Sequence, residues 1–368
     1  MRLLDGVSRR RGWIVLRVAV GLGVLVVSGC SAEAEFSVHV AGNHLIDAKG
    51  KPIRLLGVDR SGPEYACVSP PEQRLNAFAG PAGPRAIAAM TAWHINAVRL
   101  PLNEDCWLGV NALPRRYSSA HYRQVVADYV ARLHNAGLYV VLDLHWSAPG
   151  TTPAFGQQPM ADRDHAPAFW ASVAKTFKSD PAVIFDIYSE PHGISWECWR
   201  DGCAMPGGWL AAGMQTLLNA VRSTGARQPI IATAMNWGTD LSSWLQHRPR
   251  DPANQLVAGV HVYDFTSCRS LECWGRTFGP VARAVPVVAT EIGQRACSGD
   301  FMGRFLGWAD AAGVSYIGWS WNPAGCAAPS LIQSWDGQPT ASGAQLRDHL
   351  IARGAPAGRE VAVSTATP

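Results

Sequence analysis

The chain has 368 residues, 48% of them hydrophobic, enough to bury one large core and too few for three ordinary domains. Its formal charge of +4 misdescribes the bulk. Residues 1–29 carry Arg2, Arg9, Arg10, Arg11 and Arg17 against Asp5 alone, and without them 27 basic residues face 27 acidic ones. Nothing in a neutral body suggests the basic face that a nucleic-acid partner needs, so none is expected.

In chain order, residues 1–29 have the anatomy of an export signal: arginines, the apolar run VAVGLGVLVV (18–27), then Ser28 and Gly29 before Cys30. That run is about half of what a membrane-spanning helix needs. VSGC (27–30) resembles the lipobox of bacterial lipoproteins and implies a lipid anchor on Cys30, hence a membrane-anchored protein of the cell envelope. Plain secretion is the other reading. FSVHVAGNHLIDAKGKP (36–52) reads as a β-hairpin that plugs the N-terminal face of a barrel.

Eight strand-like runs come next: IRLLGV (53–58), AVRLPL (97–102), YVVLDLHW (139–146), VIFDIY (183–188), PIIATAM (229–235), LVAGVHVY (256–263), VPVVAT (285–290) and YIGWSW (316–321). Helix-like segments separate them. In YRQVVADYVARLHNAG (122–137), Val125, Tyr129 and Leu133 share a face and Gly137 ends the helix. GWLAAGMQTLLNAVRSTG (208–225) predicts another helix. Eight strands alternating with helices are the count of an α/β (β/α)8 TIM barrel, here a single domain over 36–352 with its N-terminal hairpin. A doubly wound sheet is the rival, but no GxGxxG follows the first strand. The tail, 353–368, has no periodicity and predicts disorder.

Setting aside Cys30 leaves Cys67, Cys106, Cys198, Cys203, Cys268, Cys273, Cys297 and Cys326, an even number that fits four disulfides in an oxidising compartment. No CxxC spacing supports a metal, and no cofactor is implied. Spacing leaves the connectivity open. Cys198/Cys203 and Cys268/Cys273 suit short loops. Cys67/Cys106 and Cys297/Cys326 would then join loops that follow neighbouring strands.

Chemistry in such barrels sits at the C-terminal strand ends. There the sequence places Arg99, His145 with Trp146, Glu190, Asn236 with Trp237, His261 with Tyr263, Glu291, and Trp319 with Trp321. Singly, each has a bland reading: an arginine in a structural ion pair, core histidines, packing tryptophans, glutamates that cap helices. Together they point to a site. Two carboxylates on facing strands, with aromatics for sugar stacking, suit glycoside hydrolysis. Arg99 would keep one glutamate ionised, and a drier, hydrogen-bonded environment would keep the other protonated. Loop tryptophans 107, 146, 196, 199, 237 and 274 are candidate stacking platforms.

NAVRLPLNEDCWLG, VVLDLHW, YSEPHG, HVY, ATEIG and IGWSWNP, in that order over residues 36–350, resemble the motifs of glycoside hydrolase family 5, the cellulase family of clan A. RSGPEYAC (60–67) is similar to the first-strand loop of its bacterial secreted members. The resemblance implies a retaining, cofactor-free enzyme with Glu190 as acid/base and Glu291 as nucleophile. It assigns Arg99, His145 and His261 to orienting them, Tyr263 to the nucleophile, and Trp319 to the substrate. A monomer acting on β-linked oligo- or polysaccharide is expected, most simply an endo-β-1,4-glucanase.

Two positions depart from the pattern. Ser189 stands where the family has the asparagine whose amide meets the sugar 2-hydroxyl; losing such a donor can cost roughly 3 kcal/mol, about a hundredfold in rate. Asp59 stands where related members often carry an amide. The alternatives are therefore a β-mannanase or other β-glycosidase with a different sugar preference, or a non-catalytic carbohydrate-binding lipoprotein.

Overall fold

A computed structural model describes residues 36–68, 77–111, 118–296 and 298–354. The expected signal segment, Cys30, Cys297 and the expected tail from residue 355 lie outside the described residues. Eight parallel strands close into a barrel: β4 (Leu56–Asp59), β5 (Ala97–Asn103), β6 (Tyr139–Trp146), β7 (Val183–Asp186), β8 (Ile230–Thr233), β9 (Leu256–Tyr263), β10 (Val287–Gly293) and β11 (Ser315–Gly318). Neighbours around the barrel follow chain order, and β11 pairs with β4 to close it. The fold is the (β/α)8 barrel that the strand count predicts.

The N-terminal segment is more than a hairpin. β1 (His39–Ala41) pairs with β2 (His44–Ile46), and β2 pairs with a third strand, β3 (Pro52–Ile53). Asp47 turns the chain back: its Oδ1 accepts the backbone N–H groups of Lys49 and Lys51 at 2.9 and 2.8 Å, which brings Pro52 alongside Ile46. This sheet covers the N-terminal end of the barrel. The Val38 N–H donates to Pro181 O at 2.9 Å and the Val40 N–H to Gln255 Oε1 at 2.7 Å, just before β7 and β9 begin. Val38 and Leu45 pack with Leu55, Val141, Ile184, Val257, Val288 and Ile317, the inward residues of the lower barrel.

Strand periodicity explains what lies above that apolar layer. Side chains alternate in and out of a strand, so a face continues at every second residue. Ala97 leads to Arg99, Val141 to Asp143, Ile184 to Asp186, and Val257 through Gly259 to His261. On β5, β6, β7 and β9 the inward stripe thus changes from apolar to charged or titratable toward the C-terminal end. The residues between, such as Val98, Leu100, Val140 and Leu142, face the larger core under the helices.

Two helices differ from expectation. Helix Ser119–Asn135 is N-capped by the Ser118 hydroxyl and buries Tyr122, Val126, Tyr129, Val130 and Leu133, leaving Val125 at the edge of the stripe. The helix expected from residue 208 begins at Gly213, because Leu210 and Ala211 make isolated bridges to Ala204 and Asp162 instead. A Cβ on Gly213 would stand 2.2 Å from the Gly202 nitrogen, so only glycine permits that approach.

The pairs Cys67–Cys106, Cys198–Cys203 and Cys268–Cys273 are disulfides, and Cys326 is also disulfide-bonded. The terminal helix runs from Ala341 to Ala352; Arg353 caps it and pairs with Asp310.

Candidate active site

The site is built around one buried cation. Arg99, fully buried on β5, meets four carboxylates: Nε lies 3.0 Å from Asp186 Oδ2, Nη1 2.9 Å from Asp59 Oδ1 and 2.8 Å from Glu291 Oε1, and Nη2 3.0 Å from Asp143 Oδ2. Its Nη2 also donates to Ser189 Oγ at 3.2 Å. Five polar partners fill the guanidinium. A buried arginine in such company holds its proton more strongly than usual: desolvation alone would weaken it, but Asp143, Asp59, Asp186 and Glu291 outweigh that.

Glu291 owes its inward position to an irregularity. Along β10, Val288 pairs beside Gly259 and Ala289 beside Val260, but Glu291 pairs beside His261, so Thr290 is an extra residue. Without this bulge the alternation would point Thr290 into the barrel and Glu291 out of it. Tyr263 then donates its hydroxyl to Glu291 Oε2 at 2.6 Å. Gly293 makes room for that ring, since a Cβ there would stand 2.4 Å from Tyr263 Cε1. Burial would raise the Glu291 carboxyl, yet His261, Arg99, His145 and the Tyr263 hydroxyl bring it down to about 2.

Two histidines complete the cage. His145 Nδ1 lies 2.8 Å from Asp143 Oδ2 and 4.0 Å from Glu291 Oε1. Burial disfavours its charged ring, but Asp143 and Glu291 lift it to about 9, so it is a cation at neutral pH. His261 Nδ1 sits between both glutamates, 2.9 Å from Glu190 Oε1 and 3.4 Å from Glu291 Oε2. Burial again opposes its charge, and Glu291 and Glu190 raise it. One oxygen of Glu190, one of Glu291 and a His261 ring nitrogen all lie within 4.8 Å of one another. Within it, the His261 ring nitrogen is hydrogen-bonded to Glu190 and within ion-pair distance of Glu291.

Glu190 follows β7 and is the more exposed carboxylate, with 18% of its side chain accessible against 4% for Glu291. The expectation that the drier glutamate would be the protonated one is therefore corrected: the drier one is held ionised, because the cations lie around it.

Above these groups is a cleft of about 880 Å³, lined by His145, Glu190, Glu291, Trp146, Trp237 and Trp319 among others. Trp319 lies parallel to the His145 ring at 5.3 Å and 9°; the Trp319–Ser320 peptide is cis. Trp237, 48% exposed, stacks on His192 at 3.5 Å and holds a left-handed φ of 62°. Its N–H donates to Pro191 O, tying this strained turn to the Glu190 loop. Of the six loop tryptophans, only Trp146 and Trp237 line the cleft. Trp107, Trp199 and Trp274 are fully buried in the core, and Trp196 packs against Trp199 and His247.

Arg99, His145, Ser189, Glu190, His261, Tyr263 and Glu291 thus form one network, with Trp319 over it and Trp237 at its rim. Ser189 is buried and does not line the cleft; its hydroxyl oxygen accepts an N–H of Arg99. Asp143 and Asp186 were missed, although a lone aspartate inside VVLDLHW and VIFDIY, in step with an inward stripe, was a readable signal. Burial raises Asp186 to about 7, against the opposing pull of Arg99. Glu64, whose Oε2 accepts the Gly62 N–H at 2.6 Å, is likewise raised by burial to about 7.

Asp59 carries the clearest consequence. Burial raises it well above its ordinary value of 3.8, with Arg99 opposing, and its Oδ2 has no partner among the described residues. A raised acid binds its proton more tightly folded than unfolded, so ionisation above pH 3.8 works against folding. Asp59→Asn retains an acceptor for Arg99 Nη1 and removes the charge. Thermal melts should show it more stable than the parent by about 1–2 kcal/mol at pH 8, with the gain shrinking toward pH 4.

A family model described as cellulase (glycosyl hydrolase family 5) matches residues 46–325. The chain belongs to glycosyl hydrolase family 5. Similar family relatives include endoglucanase E-5 of Thermobifida fusca, 24% identical over 80% of this chain and 57% of that enzyme. Mannan endo-1,4-β-mannosidase of Streptomyces lividans is 21% identical over 80% of this chain and 68% of its own length. The chain spans under two thirds of the Thermobifida enzyme. Among solved structures, a β-glucanase from Saccharophagus degradans in complex with cellotetraose shares the family 5 chain's fold, with a TM-score of 0.67 at 19% identity over 87% of this chain and 94% of that one.

Proposed function

We propose that this family 5 chain is a retaining glycoside hydrolase that cleaves β-linked polysaccharide, most simply an endo-β-1,4-glucanase. The observation that carries the reading is the close approach of two carboxylates of unequal character, Glu190 and Glu291, to within 4.8 Å. Retaining glycosidases hold this pair about 5–5.5 Å apart, whereas inverting ones need roughly 6.5–9.5 Å to fit a water. Glu291, ionised and backed by Arg99, His145, His261 and Tyr263, attacks the anomeric carbon. Glu190 transfers its proton to the departing glycosidic oxygen. The resulting glycosyl ester on Glu291 is then hydrolysed by a water that gives its proton to Glu190. Trp319, Trp146 and Trp237 offer ring faces for the sugars.

Incubation with 2-deoxy-2-fluoro glycosides of cellobiose and mannobiose tests this. A mass increase on the peptide containing Glu291 is expected; no adduct from either, with sugar binding intact, would sink the reading.

A β-mannan preference is the second reading, favoured by mannosidases among the relatives at identities like those of the endoglucanases. A binding protein without activity would have no use for the two facing carboxylates. Ser189 bears on rate: Ser189→Asn should raise turnover on β-glucans up to about tenfold by restoring an amide donor, and an unchanged or lower rate would mark the serine as adapted to its own substrate. We also infer export, with a lipid anchor on Cys30, from the leader composition and the VSGC motif; the disulfides fit the same oxidising compartment.

A further inference from the structure

One wall of the cleft carries a cation that hydrolysis of a neutral glucan leaves unused. Tyr263, which holds Glu291, stacks on Phe265 at 4.9 Å and 26°, and the Arg295 guanidinium lies 4.0 Å from the Phe265 ring centroid. Phe265 is 44% exposed, Arg295 is exposed, and both line the cleft with Glu190 and Glu291. The chain from nucleophile to cation is therefore continuous: Glu291, Tyr263, Phe265, Arg295.

Arg295 is also held from its backbone. The Asp264 carboxylate accepts the N–H groups of Arg295 and Ala296, one per oxygen, each at 3.0 Å. That engages the neighbouring acid on the main chain, and among the described residues the guanidinium has no carboxylate partner. Arg54, Arg99 and Arg222, by contrast, each meet an aspartate within 3.0 Å. An aromatic face under a guanidinium fixes its plane while leaving its N–H donors free. A planar fork of donors suits a carboxylate, which it can bind through two hydrogen bonds. The cleft needs such a group if its substrate is acidic, because otherwise Glu190 and Glu291 face the ligand with His145 as the one further basic side chain lining it among the described residues.

We propose that Arg295 is a specificity-determining residue that receives a carboxylate on the glycan, so that the preferred substrate is an acidic β-linked polysaccharide containing uronic acid units. This rests on the hydrolase reading of the same cleft and adds the charge of its substrate.

The test measures binding, so that it does not depend on turnover. Calorimetry on the mature Glu190→Gln protein compares cellotetraose with tetrasaccharides carrying glucuronic acid at each position in turn. At low salt at least one acidic ligand should bind about fivefold tighter than cellotetraose, the worth of an exposed ion pair. Adding Arg295→Gln should erase that advantage without weakening cellotetraose, Arg295→Lys should keep part of it, and raising the salt concentration should reduce it. Equal affinity for acidic and neutral ligands overturns the proposal, as does binding of neither. Equal weakening of both ligands by Arg295→Gln would also overturn it, assigning Arg295 to a sugar hydroxyl. Hydrolysis of neutral and of uronic acid-containing β-glycan by the unmodified chain is read separately: absence of both beside a retained carboxylate preference would fault the hydrolase reading and not Arg295.

Discussion

Glu291→Gln is expected to lower β-glucan turnover by at least about 10³-fold, with no recovery on substrates that have better leaving groups. The amide cannot form the glycosyl ester, and every group that holds the carboxylate ionised loses its purpose. Glu190→Ala should behave differently. On polysaccharide it also loses at least about 10³-fold, because the departing sugar needs a proton. On a dinitrophenyl β-glycoside, whose leaving group needs none, the first step stays fast and the second becomes limiting, so a burst of dinitrophenol should precede slow turnover. Azide should then raise the rate and yield a β-glycosyl azide, since an anion needs no general base to attack the ester. Burst kinetics and the anomeric configuration of the azide, read by NMR, check both halves. If Glu291→Ala gave the burst and the azide product instead, the two roles would be exchanged.

The second large effect is on folding. Arg99→Met should destabilise the protein by roughly 3–5 kcal/mol, because it leaves Asp59, Asp143, Asp186 and Glu291 without their shared cation. For a domain of this size the melting temperature should fall by about 10 °C. The double variant Arg99→Met/Asp59→Asn should recover part of the loss, since one of the four stranded acids is gone. A fall in melting temperature of less than about 2 °C for Arg99→Met would mean that the carboxylates take up protons and relax, and that the cluster does not depend on this arginine.

These two expectations draw on features of different visibility. Arg99, Glu190 and Glu291 could be picked out because each interrupts or ends an apolar run at the same end of a strand, where a barrel keeps its chemistry. The tryptophans could not be sorted in that way. Trp107, Trp199 and Trp274 sit in short helices as Trp237 does, yet those three fill the core while Trp237 and Trp146, at the end of β6, line the cleft. Which face of a short helix is buried depends on what packs over it, and one-dimensional spacing does not contain that. The 208–225 segment failed similarly. Its composition is helical, but cross-loop bridges to Ala204 and Asp162 claim its first residues.

The order of the strands, the barrel, the presence of a β cover at its N-terminal end and several of the polar residues at its C-terminal end were legible in the sequence alone, because they follow from period-2 alternation and from the cost of burying charge; the third strand of the cover and the buried Asp143 and Asp186 were not. The tertiary structure decided how those residues are used. The bulge at Thr290 turns Glu291 inward, which no reading of ATEIG reveals, since a bulge is defined by its neighbour's register. Arg99 gathers four carboxylates from β4, β6, β7 and β10, strands up to 192 residues away in the chain. Ser189 accepts an N–H of that arginine and does not line the cleft. Neighbours 3–4 Å away lower Glu291 and raise Arg99, His145 and His261 against their burial, while burial itself raises Asp59 and Asp186; only the closed barrel supplies both conditions.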